Sequence, residues 1–559
     1  MNKRSKLDLL PVAKVTNPIE LGRGKKISLA ARSAVLQDLK AQGCIVVDVG
    51  ISPSALSAAR KELAQRKTDY GPLLIPRRFT THEGEVTLPV QNPIAMLSIA
   101  MAESERYAQY MRKRIATRGA PSVASPWTII IYVDEVTCGN PLATKASARR
   151  QIQGVYWSIY QLGPVALADE TCWFELVAFR TLETQAFVGS VSHLLDVCLS
   201  CFFDPTGIDV RYGVRMRLTG YGDLMLCLKV EMLIADIKAI VQAIGANGVS
   251  ALLPCFFCRR VLSFAAKAQP RFAAVDELVD LGCLDQDRWC KHTNESLKQL
   301  LVDLRHTATT QPQELKAKQT LSGYKHVNGN FLSNSFTNLL PINLICLDWM
   351  HLFFQSGNWN REVFQILKHA SASARNFNAY ELMHAYIDKF AFPAGRGIGN
   401  LLSSEHWASC KEAKLFKCQA SDGLNLYSVM HRFFVAVLLP AIGGSPQHDT
   451  VKLQVDSYGQ LCDVVDLLQL SKFGKPVPRA LFREKVVDWG TVHQNAYGVE
   501  LWYLKSHLTL HLPDVLDARG EDEEDAMFLA CWVLEMCLQS RKVCTTLLSC
   551  MCTASCIHA

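Results

Sequence analysis

The sequence predicts an α/β fold with a large helical addition, on three observations. The apolar run Trp127-Thr128-Ile129-Ile130-Ile131-Tyr132-Val133 reads as a strand and ends at Asp134. A second strand-like run, Leu224 to Ala235, ends at Asp236 about a hundred residues later. From residue 237 to about residue 500, sustained strand patterns are few and helical periodicity prevails. Two carboxylates at strand ends can share a pair of hard divalent cations, which two-metal phosphoryl transfer requires, although Asp is also a common turn residue after a strand.

Composition narrows the class. A chain of 559 residues, 49% of them hydrophobic, holds several domains or one large domain with an insertion, and global disorder is excluded. The most apolar stretch, Phe433 to Ile442, is interrupted by Pro440 and is too short to span a bilayer, so no membrane partner is expected. The N-terminal MNKRSKLDLLPVAK has no apolar core of signal-peptide length, which argues against secretion. Twenty cysteines, mostly in apolar stretches, read as reduced intracellular thiols. A net charge of +7 permits nucleic-acid binding without requiring it.

The elements follow in order. Residues 1–120 form a polar, basic region with helical periodicity at Leu29 to Leu39 and Pro53 to Arg66, ending in Tyr110-Met111-Arg112-Lys113-Arg114-Ile115. Such a basic arm suits phosphate contacts, or is simply a solvated helix face. Residues 121–260 form the β-rich core. Trp127–Val133, Gly154–Tyr160 and Cys172–Phe179 are strand candidates, Val191 to Phe203 a helix, and Val210–Leu218 and Leu224–Ile234 further strands around Gly220-Tyr221-Gly222. Three strands, a helix, then a strand ending in an acid is the order of an RNase H-like nuclease core. Trp157 and Trp173 read as core packing. Residues 261–500 form an all-α insertion, in which Ala394 to Asn400 reads as a flexible loop, and residues 501–559 close the core.

Metal-ligand spacings add a second chemistry. Cys255-Phe256-Phe257-Cys258 follows Asp236 by nineteen residues, past the turn Gly245-Ala246-Asn247-Gly248, and is half of a tetrahedral zinc site. Cys198 and Cys201 have the same spacing but read as packing in an amphipathic helix. Far downstream, His507 and His511 stand at i and i+4, which places two imidazoles on one helix face; two unrelated surface histidines are the alternative.

Taken together, Tyr132-Val133-Asp134-Glu135-Val136-Thr137, Ala235-Asp236, Pro254-Cys255-Phe256-Phe257-Cys258, Asp348-Trp349-Met350-His351 and His507-x-x-x-His511 resemble the DDE transposases, over roughly residues 125–540. The nearest likeness is to the CACTA/Plavaka-like (CMC) superfamily, including its dinoflagellate-type copies, and the layout is similar to that of the V(D)J recombinase core. The resemblance implies Asp134 and Asp236 as the first two catalytic, metal-binding acids. It implies Cys255, Cys258, His507 and His511 as a structural Zn²⁺ site, and His351 at the scissile phosphate with Asp348 fixing its helix. The third acid it implies is Glu535, in Ala530-Cys531-Trp532-Val533-Leu534-Glu535, after the acidic run Glu521 to Asp525. Relatives continue there with a basic segment, whereas this chain continues Met536-Cys537-Leu538-Gln539. Asp422 is the runner-up third acid, and reads equally as a helix N-cap. The cysteine-rich tail ending at Cys556 is expected to be a frameshifted, unspliced or degenerate terminus rather than a second metal cluster.

The implied function is metal-dependent cleavage and transfer of DNA strands with Mg²⁺ or Mn²⁺, acting on double-stranded transposon ends and target DNA, in a nuclear homo-oligomer. The alternatives are an inactive transposon-derived DNA-binding relic and a zinc-organised scaffold.

Overall fold

The computed structural model describes residues 65–137, 151–204, 207–334, 339–390, 403–472 and 477–517, together with isolated pieces such as Ala13–Val15 and Ile45–Val47. Five strands form one mixed sheet: β1 (Trp127–Thr137), β2 (Gln151–Ile159), β3 (Phe174–Arg180), β4 (Leu228–Ala235) and β5 (Ile345–Leu347). Their spatial order is β5-β4-β1-β2-β3. β1, β2 and β3 run antiparallel in turn, while β4 and β5 are parallel to β1. Ile129, Ile130 and Ile131 are all buried, so both faces of β1 are covered, as a parallel-sided sheet needs.

Helices cover the faces. α1 (Val191–Leu199) packs beside α2 (Ile237–Ile244), which begins at Asp236 directly after β4 and stops at Gly245, whose φ of +75° suits a residue without Cβ. Downstream lie α3 (Asn294–Thr310) and the short α4 (Trp349–Phe353), and then longer helices at Asn358–Ser371, Ala420–Phe433, His448–Lys472 and Arg479–Tyr497. Buried Glu362 ties three of these together, accepting hydrogen bonds from Ser457 Oγ, Trp489 Nε1 and His493 Nδ1. The chain then makes α5 (Leu504–Thr509) and a last described helix, Leu512–Asp517.

Several expectations change. β1 does not stop at Val133, because β2 keeps pairing with it from Asp134↔Gly154 to Thr137↔Gln151. The run Leu224 to Ala235 is two strands. Gly222–Leu226 folds back on Val214–Leu218, the chain breaks at Cys227, and only β4 enters the sheet. The predicted helix to Phe203 ends at Leu199, with Cys198 and Cys201 buried as packing residues. The first 120 residues are not solely helical, since Leu74–Thr81 and Gly84–Gln91 form a hairpin before helices Pro93–Glu103 and Glu105–Arg118. Residues 261–500 are not all-α. They contribute β5 to the central sheet and a two-strand ladder, Val261–Leu262 with Val279–Asp280. Strands of two or three residues are too short to show a periodicity, which is why the sequence hid them.

The basic arm is largely structural. Tyr107, Met111 and Ile115 are buried on the inner face of Glu105–Arg118, Arg112 pairs with Glu105 at 2.6 Å, and Arg114 Nε donates to Leu162 O at 3.0 Å. One described helix, Ala420–Ala441, is long and apolar enough to cross a membrane. Its Met430, Phe433, Phe434 and Leu438 are buried, and Phe434 meets Tyr458 of the neighbouring helix edge-on.

Candidate metal centre and neighbouring acids

Cys255 and Cys258 sit on an irregular loop after α2 that is pinned by its own aromatic residues. Phe256 and Phe257 are buried, Tyr324 Oη donates to Phe256 O at 2.6 Å, and His292 N donates to Phe257 O at 2.8 Å. About 250 residues later the chain returns with His507 on α5 and His511 in the turn just beyond it. The two histidines are therefore not on one continuous helix face as expected. The turn nevertheless brings their Nε2 atoms to 3.2 Å.

The four side chains converge. Cys258 Sγ lies 3.5 Å from His507 Nε2 and 3.2 Å from His511 Nε2, and Cys255 Sγ lies 3.6 Å from His511 Nε2. All four ligand atoms fall within 4.8 Å of one another, and all four residues are buried. Tetrahedral ligation with Zn–S of about 2.3 Å and Zn–N of about 2.0–2.1 Å puts sulfur and nitrogen about 3.5 Å apart and the two nitrogens about 3.3 Å apart. The donor set, its spacing and its closure on four sides thus fit a metal such as zinc in a structural role.

The electrostatics agree with that reading. Burial opposes ionisation of Cys255, but the Cys258 thiol and the two imidazoles hold it well below the ordinary thiol range. Burial, and then the adjacent Cys255 thiolate, push Cys258 up. The pair therefore keeps one proton that a metal would displace. His511 Nδ1 faces Asp514 Oδ2 at 3.3 Å, and Asp514 is in turn held by Lys291 at 2.6 Å and Arg483 at 3.0 Å. A carboxylate behind a ligating imidazole fixes its tautomer and orientation. Burial works against the charge on Asp514, yet His511 and Lys291 hold its carboxyl well below the usual range. Trp289 closes the centre, its ring 4.6 Å from His507 and 4.8 Å from His511.

The acids lie along one edge of the sheet. Ala235 pairs with Val133 on one side and with Leu347 on the other, all three strands running parallel. Asp134, Asp236 and Asp348 are each the next residue, so they follow directly on positions paired across neighbouring strands, which lie about 5 Å apart. Asp134 is half-buried and its carboxyl is pushed up to about 7, first by burial, with His351 opposing and Asp236 and Asp348 adding to the rise. Asp236 also caps α2, accepting from Ala239 N at 2.6 Å. Asp348 caps α4 through Met350 N at 2.9 Å, and its second oxygen meets His351 Nδ1 at 2.7 Å. A buried carboxylate so placed orients the imidazole.

Lys505 connects the Cys/His group to the acidic edge of the sheet. It lies on α5 two residues before His507, and its Nζ donates to His351 O at 2.9 Å and Gln355 O at 2.6 Å. Burial first, and then Arg361, draw its ammonium down to about 8, while Asp236 and Asp348 act in the opposite direction. The helix bearing His351 is thereby capped at its start by Asp348 and held at its end by Lys505.

The remaining predicted residues fall elsewhere. Glu535, the run Glu521 to Asp525 and the cysteine-rich tail lie outside the described residues. Asp422 is not a helix N-cap, because Gln419 occupies that position and Asp422 sits in the first turn of Ala420–Phe433. Its carboxyl is raised by burial, which a backbone hydrogen bond with Gln419 opposes. Among the described residues, the Cys/His set is the one group of three or more metal-ligating atoms drawn together. Sequence reasoning assigned no role to Asp514, although a carboxylate three residues after a ligating histidine is a readable signal. For Lys505 the residue order gave no signal. The chain matches no protein-family model and no curated protein.

Proposed function

We propose that the chain is a DDE-type transposase-like nuclease that cleaves and joins DNA strands at Asp134 and Asp236. The observation that carries this reading is the register. Two acids far apart in sequence come from adjacent parallel strands, Asp134 on β1 and Asp236 just after β4, with Asp348 just after β5 and His351 on α4, which follows it. What supports an RNase H-like reading is the order along the chain, with the first acid on the first strand of the sheet and the second just after its fourth. Burial that holds Asp134 near 7 makes its carboxylate a costly free charge, which a bound cation would relieve.

Hard divalent ions such as Mg²⁺ bound there would activate water or a 3′-hydroxyl and stabilise the leaving oxygen. Asp134 and Asp236 would supply oxygen ligands, and Glu535 is the proposed third. His351, its Nδ1 side held by Asp348, would turn its other ring edge to the scissile phosphate. The Cys/His centre, of softer ligands, would take zinc and hold the 255–258 loop against α5. A nuclear location, a homo-oligomer and double-stranded DNA partners belong to the same proposal.

The test is cleavage and joining of end-bearing duplex DNA with Mg²⁺, using Asp134→Ala and Asp236→Ala. Both variants should lose activity by at least about a hundredfold while retaining zinc. Unchanged activity in both removes the assignment. Salt-sensitive DNA binding without cleavage by the unaltered protein would identify an inactive relic, and absence of both would leave a zinc-organised scaffold.

A further inference from the structure

At the opposite end of α2 from Asp236 lies a cavity of about 230 Å³ between α1, α3 and the loop at 325–334. Arg305 of α3 and Lys325 and His326 of the loop line it. Neither Arg305 nor Lys325 has an ion pair with an acid among the described residues. The one acid in the lining, Asp196, already accepts from Asn334 Nδ2 at 2.8 Å. The floor is a tight turn, Val327 to Asn330, closed by Asn330 N donating to Val327 O at 3.3 Å, with Gly329 at φ +68°. The amides of Asn328 and Gly329 within that turn have no acceptor among the described residues. Successive free amides in a turn can form a concave anion-binding nest, and Arg305 and Lys325 line the same cavity as this turn.

We infer that this cavity is a phosphate-binding subsite, in which Arg305, Lys325 and the turn amides of Asn328 and Gly329 hold one phosphate group. The volume is below the roughly 300–1,000 Å³ of pockets that enclose whole drug-sized ligands, so a single phosphate with its sugar is the better fit. The loop is braced against α2: Lys325 N donates to Gly245 O, and Asn330 Nδ2 donates to Ile244 O at 3.3 Å. Eight helical residues separate this end of α2 from Asp236, which is about 12 Å at 1.5 Å per residue. That distance corresponds to roughly three or four nucleotides of duplex rise. On the reading of the protein as a DNA strand-transfer enzyme, on which this assignment of the ligand rests, the subsite grips the backbone a few nucleotides from the reacting phosphate.

Two probes separate the possibilities. Inorganic phosphate should shift the His326 imidazole signals in the NMR spectrum of the full chain, and Arg305→Ala with Lys325→Ala should abolish that shift while zinc content and melting temperature hold. Duplex DNA binding, measured over a range of salt, should lose about one to two units of log–log slope in the double variant, with Arg305→Lys largely restoring it. Phosphate that shifts His326 in a protein that does not bind DNA would uphold the subsite and overturn the DNA reading. A His326 signal indifferent to phosphate would overturn the subsite, and a DNA salt slope identical in the double variant of a DNA-binding protein would overturn its grip on the DNA backbone, both leaving Asp134 and Asp236 untouched.

Discussion

Asp134 carries a cost that can be measured without any substrate. Its carboxyl stands at about 7 in the folded chain against an ordinary value of 3.8. Between those pH values the folded protein keeps a proton that the unfolded chain has lost, so stability falls as pH rises from about 4 to about 7 and is level above that. The full shift corresponds to at most about 4 kcal/mol. Asp134→Asn should therefore be the more stable protein at pH 8 without divalent ions, and its urea midpoint should vary less between pH 5 and pH 8. Identical pH dependence in the two proteins would show that Asp134 is not the buried acid described. Lys505 makes a second prediction at this scale. Lys505→Met leaves two helix-end carbonyls without their donor and should cost about 1–3 kcal/mol. It should also broaden or move the His351 ring signals while zinc stays bound, and Lys505→Arg should recover part of both. A His351 spectrum unchanged in Lys505→Met would mean that α5 does not steady the imidazole.

At the scale of elements, the Cys/His group, which could hold a metal such as zinc, joins a loop to a helix distant in sequence. Structural zinc sites contribute about 10–16 kcal/mol of apparent binding free energy, so stability here should depend on the metal. The purified chain should hold one zinc per molecule at this site. Cys258→Ala or a strong chelator should lower the melting temperature and release α5, speeding hydrogen exchange at the backbone amides of α5 and of residues 351–355. A melting curve indifferent to chelation would contradict the joint. This scale also shows what the residue order made legible. The two acids that close apolar runs, the Cys-x-x-Cys and the paired histidines could be read because each has its own spacing or polarity pattern, although β1 continues past Asp134. The bend that sets Gly222–Leu226 apart from β4 was hidden, because Leu224 to Ala235 stays apolar across the break at Cys227. β5 was hidden because Ile-Cys-Leu is too short for a period and lies among helices. Lys505 and the Asp514–Lys291–Arg483 cluster depend on contacts between residues about 30 to more than 200 positions apart, which no local pattern encodes.

For the whole molecule, the sheet brings three parallel strands to a common edge, where β1 passes through an aspartate and β4 and β5 are each followed by one. The helical region supplies β5 and His351 on one side of that edge, and α5 delivers Lys505 and the metal joint behind it. The central claim is that this edge binds divalent cations. The most direct measurement is electron paramagnetic resonance of Mn²⁺ titrated into the zinc-loaded chain, comparing the unaltered protein with Asp134→Asn and Asp236→Asn. Tight Mn²⁺ binding that is lost or weakened at least about tenfold in each variant, with zinc content constant, is the predicted result. Mn²⁺ binding of equal strength in all three proteins, or none in the unaltered chain, would contradict it.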